Sequence, residues 1–164
     1  METKAMSVLS RIVSILVTVI FAASGVVSPR LNQQVTPKDA KNLRMSFAAF
    51  SDTHLTEVGV ARQTMLSQGF RDLDGNVDVI ATVGDMTDHG ERAQYENFYD
   101  CVKKDIKKSK FIPVVGNHDT WTEELREKKP TYEFIRAYNN YSGKKLKTPY
   151  FTEKVNGYTF IVLS

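Results

Sequence analysis

Three apolar, β-prone runs at 45–51, 77–83 and 111–115 each end in a short polar block, and the blocks recur at nearly equal intervals. They read Asp52-Thr53-His54, Gly84-Asp85-Met86-Thr87-Asp88 and Gly116-Asn117-His118-Asp119. Asp52 and Asp85 are 33 residues apart, and Asp85 and Asn117 are 32 apart. That interval is about the length of a strand, a crossover helix and the next strand. A chain with this rhythm is constrained to build parallel strands, and open α/β sheets carry their chemistry in the loops at the carboxyl ends of those strands. The three blocks are therefore expected to meet at one edge.

The stretches between the blocks support this order. Across 57–73, Met65, Leu66, Phe70 and Leu73 recur at helical spacing before Asp74-Gly75-Asn76 supplies a stop. Across 91–108 the same is true of Tyr95, Phe98, Tyr99, Val102 and Ile106. A further helix is expected over 131–141. The runs 150–155 and 158–163 flank Asn156-Gly157, the strongest short hairpin signal. The order is α/β.

Carboxylate, imidazole and carboxamide groups on three neighbouring loops form a mixed oxygen and nitrogen ligand set, which suits Mn, Fe or Zn better than Ca. These residues resemble the calcineurin-like metallophosphoesterase family, whose pattern is Asp-x-His, Gly-Asp-x-x-Asp, Gly-Asn-His-Asp/Glu, a further His, and Gly-His-x-His. The first three blocks are present, and the resemblance covers residues 45–164. It implies the first half of a two-sheet α-β-β-α sandwich, with the domain carboxyl-terminally truncated. It also implies two divalent metal ions. Asp52 and His54 would serve the first, Asp85 would bridge, and Asn117 would serve the second, which is left weak by the absence of the later histidines. His118 would protonate or stabilise the leaving oxygen, with Asp119 orienting its imidazole and Asp88 hydrogen-bonding behind the ligands. His89 is expected to be an exposed loop residue. Trp121 is either core or a wall of the substrate pocket.

The amino terminus reads as an export element. Lys4 and Arg11 precede an uncharged run over 12–27, with Ala22, Ala23, Ser24 and Gly25 near its end. Residues 1–28 are thus a cleaved signal peptide or a retained membrane anchor, and 29–44, with Pro29 and Pro37, a linker. Either form places the domain outside the cytoplasm, secreted or membrane-anchored.

Composition narrows the rest. A charged fraction of 25% with 41% hydrophobic residues is ordinary for a globular domain. Cys101 is the only cysteine, which excludes an intrachain disulfide and a Cys-based zinc site. The net charge of +3 is slight, and the lysines from Lys103 to Lys110 lack the aromatic interleaving of a nucleic-acid module. They form a solvated helix face or a surface that attracts anions. The implied substrate is a phosphoester small molecule or nucleotide. Two functions follow: a metal-dependent phosphoester hydrolase, or a non-catalytic, degenerate extracytoplasmic domain that binds a metal or a partner. An unrelated doubly wound phosphate binder is the third reading.

Overall fold

In the computed structural model, residues 43–121 and 131–164 are described. The expected export segment, 1–28, and the linker up to residue 42 lie outside them. No helix among the described residues is long and apolar enough to cross a membrane.

The described chain runs β1 (Phe47–Phe50), α1 (Val60–Leu73), β2 (Val79–Val83), α2 (Arg92–Asp105), β3 (Lys110–Val114), a 3-10 turn (His118–Thr120), α3 (Tyr132–Ser142), β4 (Phe151–Val155) and β5 (Tyr158–Val162). The strands β1, β2 and β3 form a parallel sheet in that order, with Ile80 paired to Ala48 and to Phe111. A parallel pair needs a crossover, and α1 and α2 supply the two crossovers. Pro113, which has no N–H to donate, is accommodated because β3 lies at an edge of the three-stranded sheet.

Strand alternation divides the core into two faces. Ile80 on β2 and Phe111 on β3 pack with Phe70 of α1, Phe98, Tyr99 and Val102 of α2, and Phe134 and Tyr138 of α3. Their neighbours Val79 and Ile112 point the other way, onto Val162, Phe160 and Val155 of the β4–β5 hairpin. The hairpin is a separate antiparallel sheet, and Asn156 and Gly157 form its turn at φ 49° and 83°. Its tip is tied to the parallel sheet where Asn156 Nδ2 donates to Asp78 Oδ1 at 2.9 Å. The layers run helices, parallel sheet, hairpin. This is the α/β arrangement expected, a parallel sheet beside a small antiparallel one.

α1 forms within 57–73, as its spacing predicts, but not every position of its apolar periodicity is buried. Met65 belongs to the apolar periodicity, yet it is 75% exposed, and Leu66 is only partly buried. The buried positions of α1 are Ser67 and Phe70. The small Ser67 lets α1 lie close to α2, with Cys101 Sγ 4.0 Å from the Gln63 carbonyl and Arg71 paired to Asp105 at 3.1 Å. That contact sets the rotation of α1 about its axis. It turns the Arg62, Met65 and Leu66 face towards the loop after β1.

Phe98 is fully buried, edge-on to Phe70 and Tyr99 and against Phe111. Replacement by alanine removes contacts to both crossover helices and to the sheet. Urea unfolding of Phe98→Ala is expected to show a loss of about 3–5 kcal/mol.

Candidate metal centre

The pairing of β1 with β2 continues beyond the strands into the two loops that follow. Asp52 N–H donates to the Gly84 carbonyl at 3.2 Å, His54 N–H to Asp85 at 3.1 Å and Leu55 N–H to Met86 at 3.0 Å. The Thr53 hydroxyl donates to the Met86 carbonyl at 2.8 Å, and Asp88 N–H returns a bond to Leu55 at 3.1 Å. Leu55, fully buried, anchors the pair of loops in the core. Within this ladder Asp52, His54 and Asp85 have positive φ, of 59°, 42° and 52°. Left-handed backbone costs an L-residue about 1–2 kcal/mol. Three such residues are held there by the bonds between the loops. Backbone departures of this kind gather at sites with chemistry to do.

The glycine that opens the third block has a steric reason. A Cβ on Gly116 would lie 2.2 Å from Asp85 Oδ1 and 2.4 Å from Asp85 N. Only a residue without a side chain lets the loop after β3 lie directly against the Asp85 carboxylate. The next loop residues use that proximity: His118 N–H donates to Asp85 Oδ1 at 3.0 Å.

Asp119 does not orient the His118 imidazole, as the sequence led us to expect. Its carboxylate turns inward, 1% exposed, and collects donors from two loops. Gly116 N–H reaches it at 2.9 Å, Met86 N–H at 3.2 Å, Thr87 N–H at 2.9 Å and the Thr87 hydroxyl at 2.8 Å. Burial pushes the Asp119 carboxyl above its ordinary range, and these donors oppose the shift. Four donors satisfy a buried carboxylate better than one imidazole would, and this is why the side chain turns away from His118.

His118 is instead oriented by the backbone. Its Nδ1 lies 2.8 Å from the Asp88 carbonyl, which can only accept, so Nδ1 carries the proton and Nε2 is left for other partners. Its ring stands edge-on to His54 at 4.4 Å and to Trp121 at 4.4 Å. Trp121 is therefore not part of the core: it is 41% exposed and forms a wall beside the site. His89 is largely exposed, as expected, with Nδ1 3.1 Å from Asp88 Oδ2 and its ring 5.9 Å from Trp121.

Around His54 the arrangement is that of a ligand held from behind. Nδ1 lies 3.3 Å from Asp88 Oδ1, while Nε2 lies on the other side, 3.7 Å from Asp52 Oδ1. A carboxylate on the far nitrogen of a metal-binding imidazole fixes its tautomer and raises its basicity. Asp52, His54 and Asp85 each offer a ligand atom, and these atoms lie within 4.8 Å of one another. The same holds for His54, Asp88 and His118. Two carboxylates and one imidazole at this separation fit one divalent ion, so the donor chemistry agrees with a metal centre. Asn117 is exposed at the start of the 3-10 turn, next to the N–H that binds Asp85. Arg62 was not among the residues singled out from the sequence. Its guanidinium donates to the His54 carbonyl, and a charged residue on a surface helix carries no sequence signal for such a contact.

With this geometry in place, the chain can be compared with known proteins. The family model of the calcineurin-like phosphoesterases matches residues 45–163, most of the chain, and the chain belongs to that family. No curated protein matches it.

The inward carboxylate makes a test of how the centre is held. Asp119→Ala leaves buried donors on Met86, Thr87 and Gly116 without an acceptor, at about 1–3 kcal/mol for each unsatisfied group. Chemical unfolding is expected to show a loss of at least about 3 kcal/mol, larger than for Asp119→Asn, whose single carbonyl oxygen still accepts from part of the cluster.

Proposed function

We propose that this member of the calcineurin-like phosphoesterase family is a metal-dependent phosphoester hydrolase that acts outside the cytoplasm on a phosphomonoester, a phosphodiester or a nucleotide. The observation that supports this best is the convergence of Asp52, His54 and Asp85, each in strained backbone, on one point at the carboxyl edge of the parallel sheet. A bound divalent ion supplies positive charge to the phosphoryl oxygens and makes a neutral-pH nucleophile of water.

In this reading Asp52 and His54 would hold the first ion, Asp85 would serve both ions and Asn117 would help hold the second. Mn, Fe and Zn all suit these donors. Among the described residues three side chains would serve the first position and two the second, so the first would be the tighter. Asp88 keeps the His54 ring in register from the Nδ1 side. His118, with Nδ1 committed to the Asp88 carbonyl, presents Nε2 to the substrate and, when protonated, passes a proton from there to the leaving oxygen. Asp119 acts at a distance by holding the loop that carries Asn117 and His118.

Export is proposed from the sequence alone. Lys4 and Arg11 before the apolar run would keep the amino terminus inside and send the domain across the membrane. Residues 1–42 fused to a reporter that is active only outside the cytoplasm should give signal, and accumulation of an inactive fusion would refute the localisation.

Isothermal titration of the full chain with Mn should find roughly one tight equivalent. Asp85→Asn should weaken it at least tenfold, while His89→Ala should leave it within about twofold. His118→Ala should retain the metal and lower Mn-dependent hydrolysis of an aryl phosphodiester by about 10²-fold, as expected for loss of a general acid. One bound metal with no hydrolysis above the His118→Ala background would favour the non-catalytic reading instead.

A further inference from the structure

The side of α1 next to its core face borders the candidate metal centre, with Leu66 packed partly against the core. Arg62, Met65 and Leu66 stand at i, i+3 and i+4 on this helix and are therefore on one side of it. With Asp52, Thr53 and His54 they line a cleft of about 440 Å³. This falls within the range of small-molecule sites. One end of the cleft is the pair of metal-ligand candidates, and the other is apolar and open to solvent. Exposure of Met65 to 75% is unfavourable for an unbranched thioether side chain unless something covers it.

We propose that this cleft takes the aliphatic chain of an amphiphilic phosphoester, with Arg62 drawing in its phosphate and Met65 and Leu66 covering the chain. The proposal rests on the phosphoester reading above and narrows its substrate class. Three features point to an alkyl or acyl chain rather than a nucleobase. Among the described residues the lining has no Phe, Tyr or Trp on which a base could stack and its one ring, the His54 imidazole, is a metal-ligand candidate; the Thr53 hydroxyl is committed to the Met86 carbonyl, and flexible Met and Leu side chains conform to a chain of no fixed shape. Arg62 spends one guanidinium nitrogen on the His54 carbonyl and keeps further N–H donors for an anion. That bond also holds the guanidinium beside the metal ligands, where the phosphate of the substrate must lie.

Binding separates the chain from the headgroup. Octyl phosphate, below its micelle concentration, and methyl phosphate are titrated into the full chain with and without Mn. Octyl phosphate is expected to bind at least tenfold more tightly. Met65→Ser should lower the octyl-to-methyl ratio at least fivefold, and Ile161→Ser, on the exposed hairpin face, should leave it unchanged. Equal affinities for the two ligands would overturn the proposal. So would an octyl advantage insensitive to Met65→Ser, or one equally sensitive to Ile161→Ser. Met65-dependent binding to neutral phosphatidylcholine vesicles without an octyl preference would overturn it in favour of a bilayer contact. Failure of the phosphoester reading has a different signature, methyl phosphate binding that does not respond to Mn, which the ratio does not involve.

Discussion

The buried Asp119 carboxylate is the point on which the geometry of the candidate metal centre depends. It accepts from Met86 and Thr87 in the loop after β2 and from Gly116 in the loop after β3. Without it the two loops would approach with unpaired N–H groups in a region closed to water, at a cost comparable to several lost hydrogen bonds. With it they lie close enough for Gly116 to touch Asp85 and for His118 N–H to bind the same carboxylate. The loop after β1 is joined to this pair by backbone bonds from Asp52, His54 and Leu55. Three loops thereby become one rigid unit, with the candidate ligands on its outer surface.

Rigidity of this kind is what a metal centre demands. Ligand atoms of Asp52, His54 and Asp85 within 4.8 Å place carboxylate charges near one another, which is unfavourable until a cation arrives. The left-handed backbone at all three residues adds to that cost. Both terms are offset by the hydrophobic packing of Leu55 and Met86 beneath the loops and by the bonds between them. The sheet underneath contributes in the same sense, since Ile80 and Phe111 fasten it to both crossover helices and Val79 and Ile112 fasten it to the hairpin.

Two further groups of side chains border the candidate centre. His118 is set between the Asp88 carbonyl and Trp121, and the exposed face of that tryptophan closes one side. On the other side, α1 offers a cation and two flexible apolar side chains. Its direction follows from a packing choice far from the chemistry, the close approach of α1 to α2 at Ser67. A helix has only one rotation about its axis that buries Phe70 and pairs Arg71 with Asp105, and in that rotation Met65 faces the loops.

The amino-acid sequence by itself determined the order of strands and crossovers, the hairpin at Asn156-Gly157 and the gathering of three polar blocks at one edge. These depend on local periods, turn chemistry and spacing, which any segment carries in its own residues. Whether Trp121 lay in the core or on the site, where the Asp119 carboxylate pointed and which face of α1 was buried were settled only by the tertiary structure. Each is the outcome of a competition between partners distant in the chain. Asp119 chose four donors on two loops over one neighbouring imidazole, and α1 chose Ser67 and Phe70 over Met65. No local pattern encodes such choices, because a hydrogen bond or a packed contact is won by whichever group the rest of the fold brings closer.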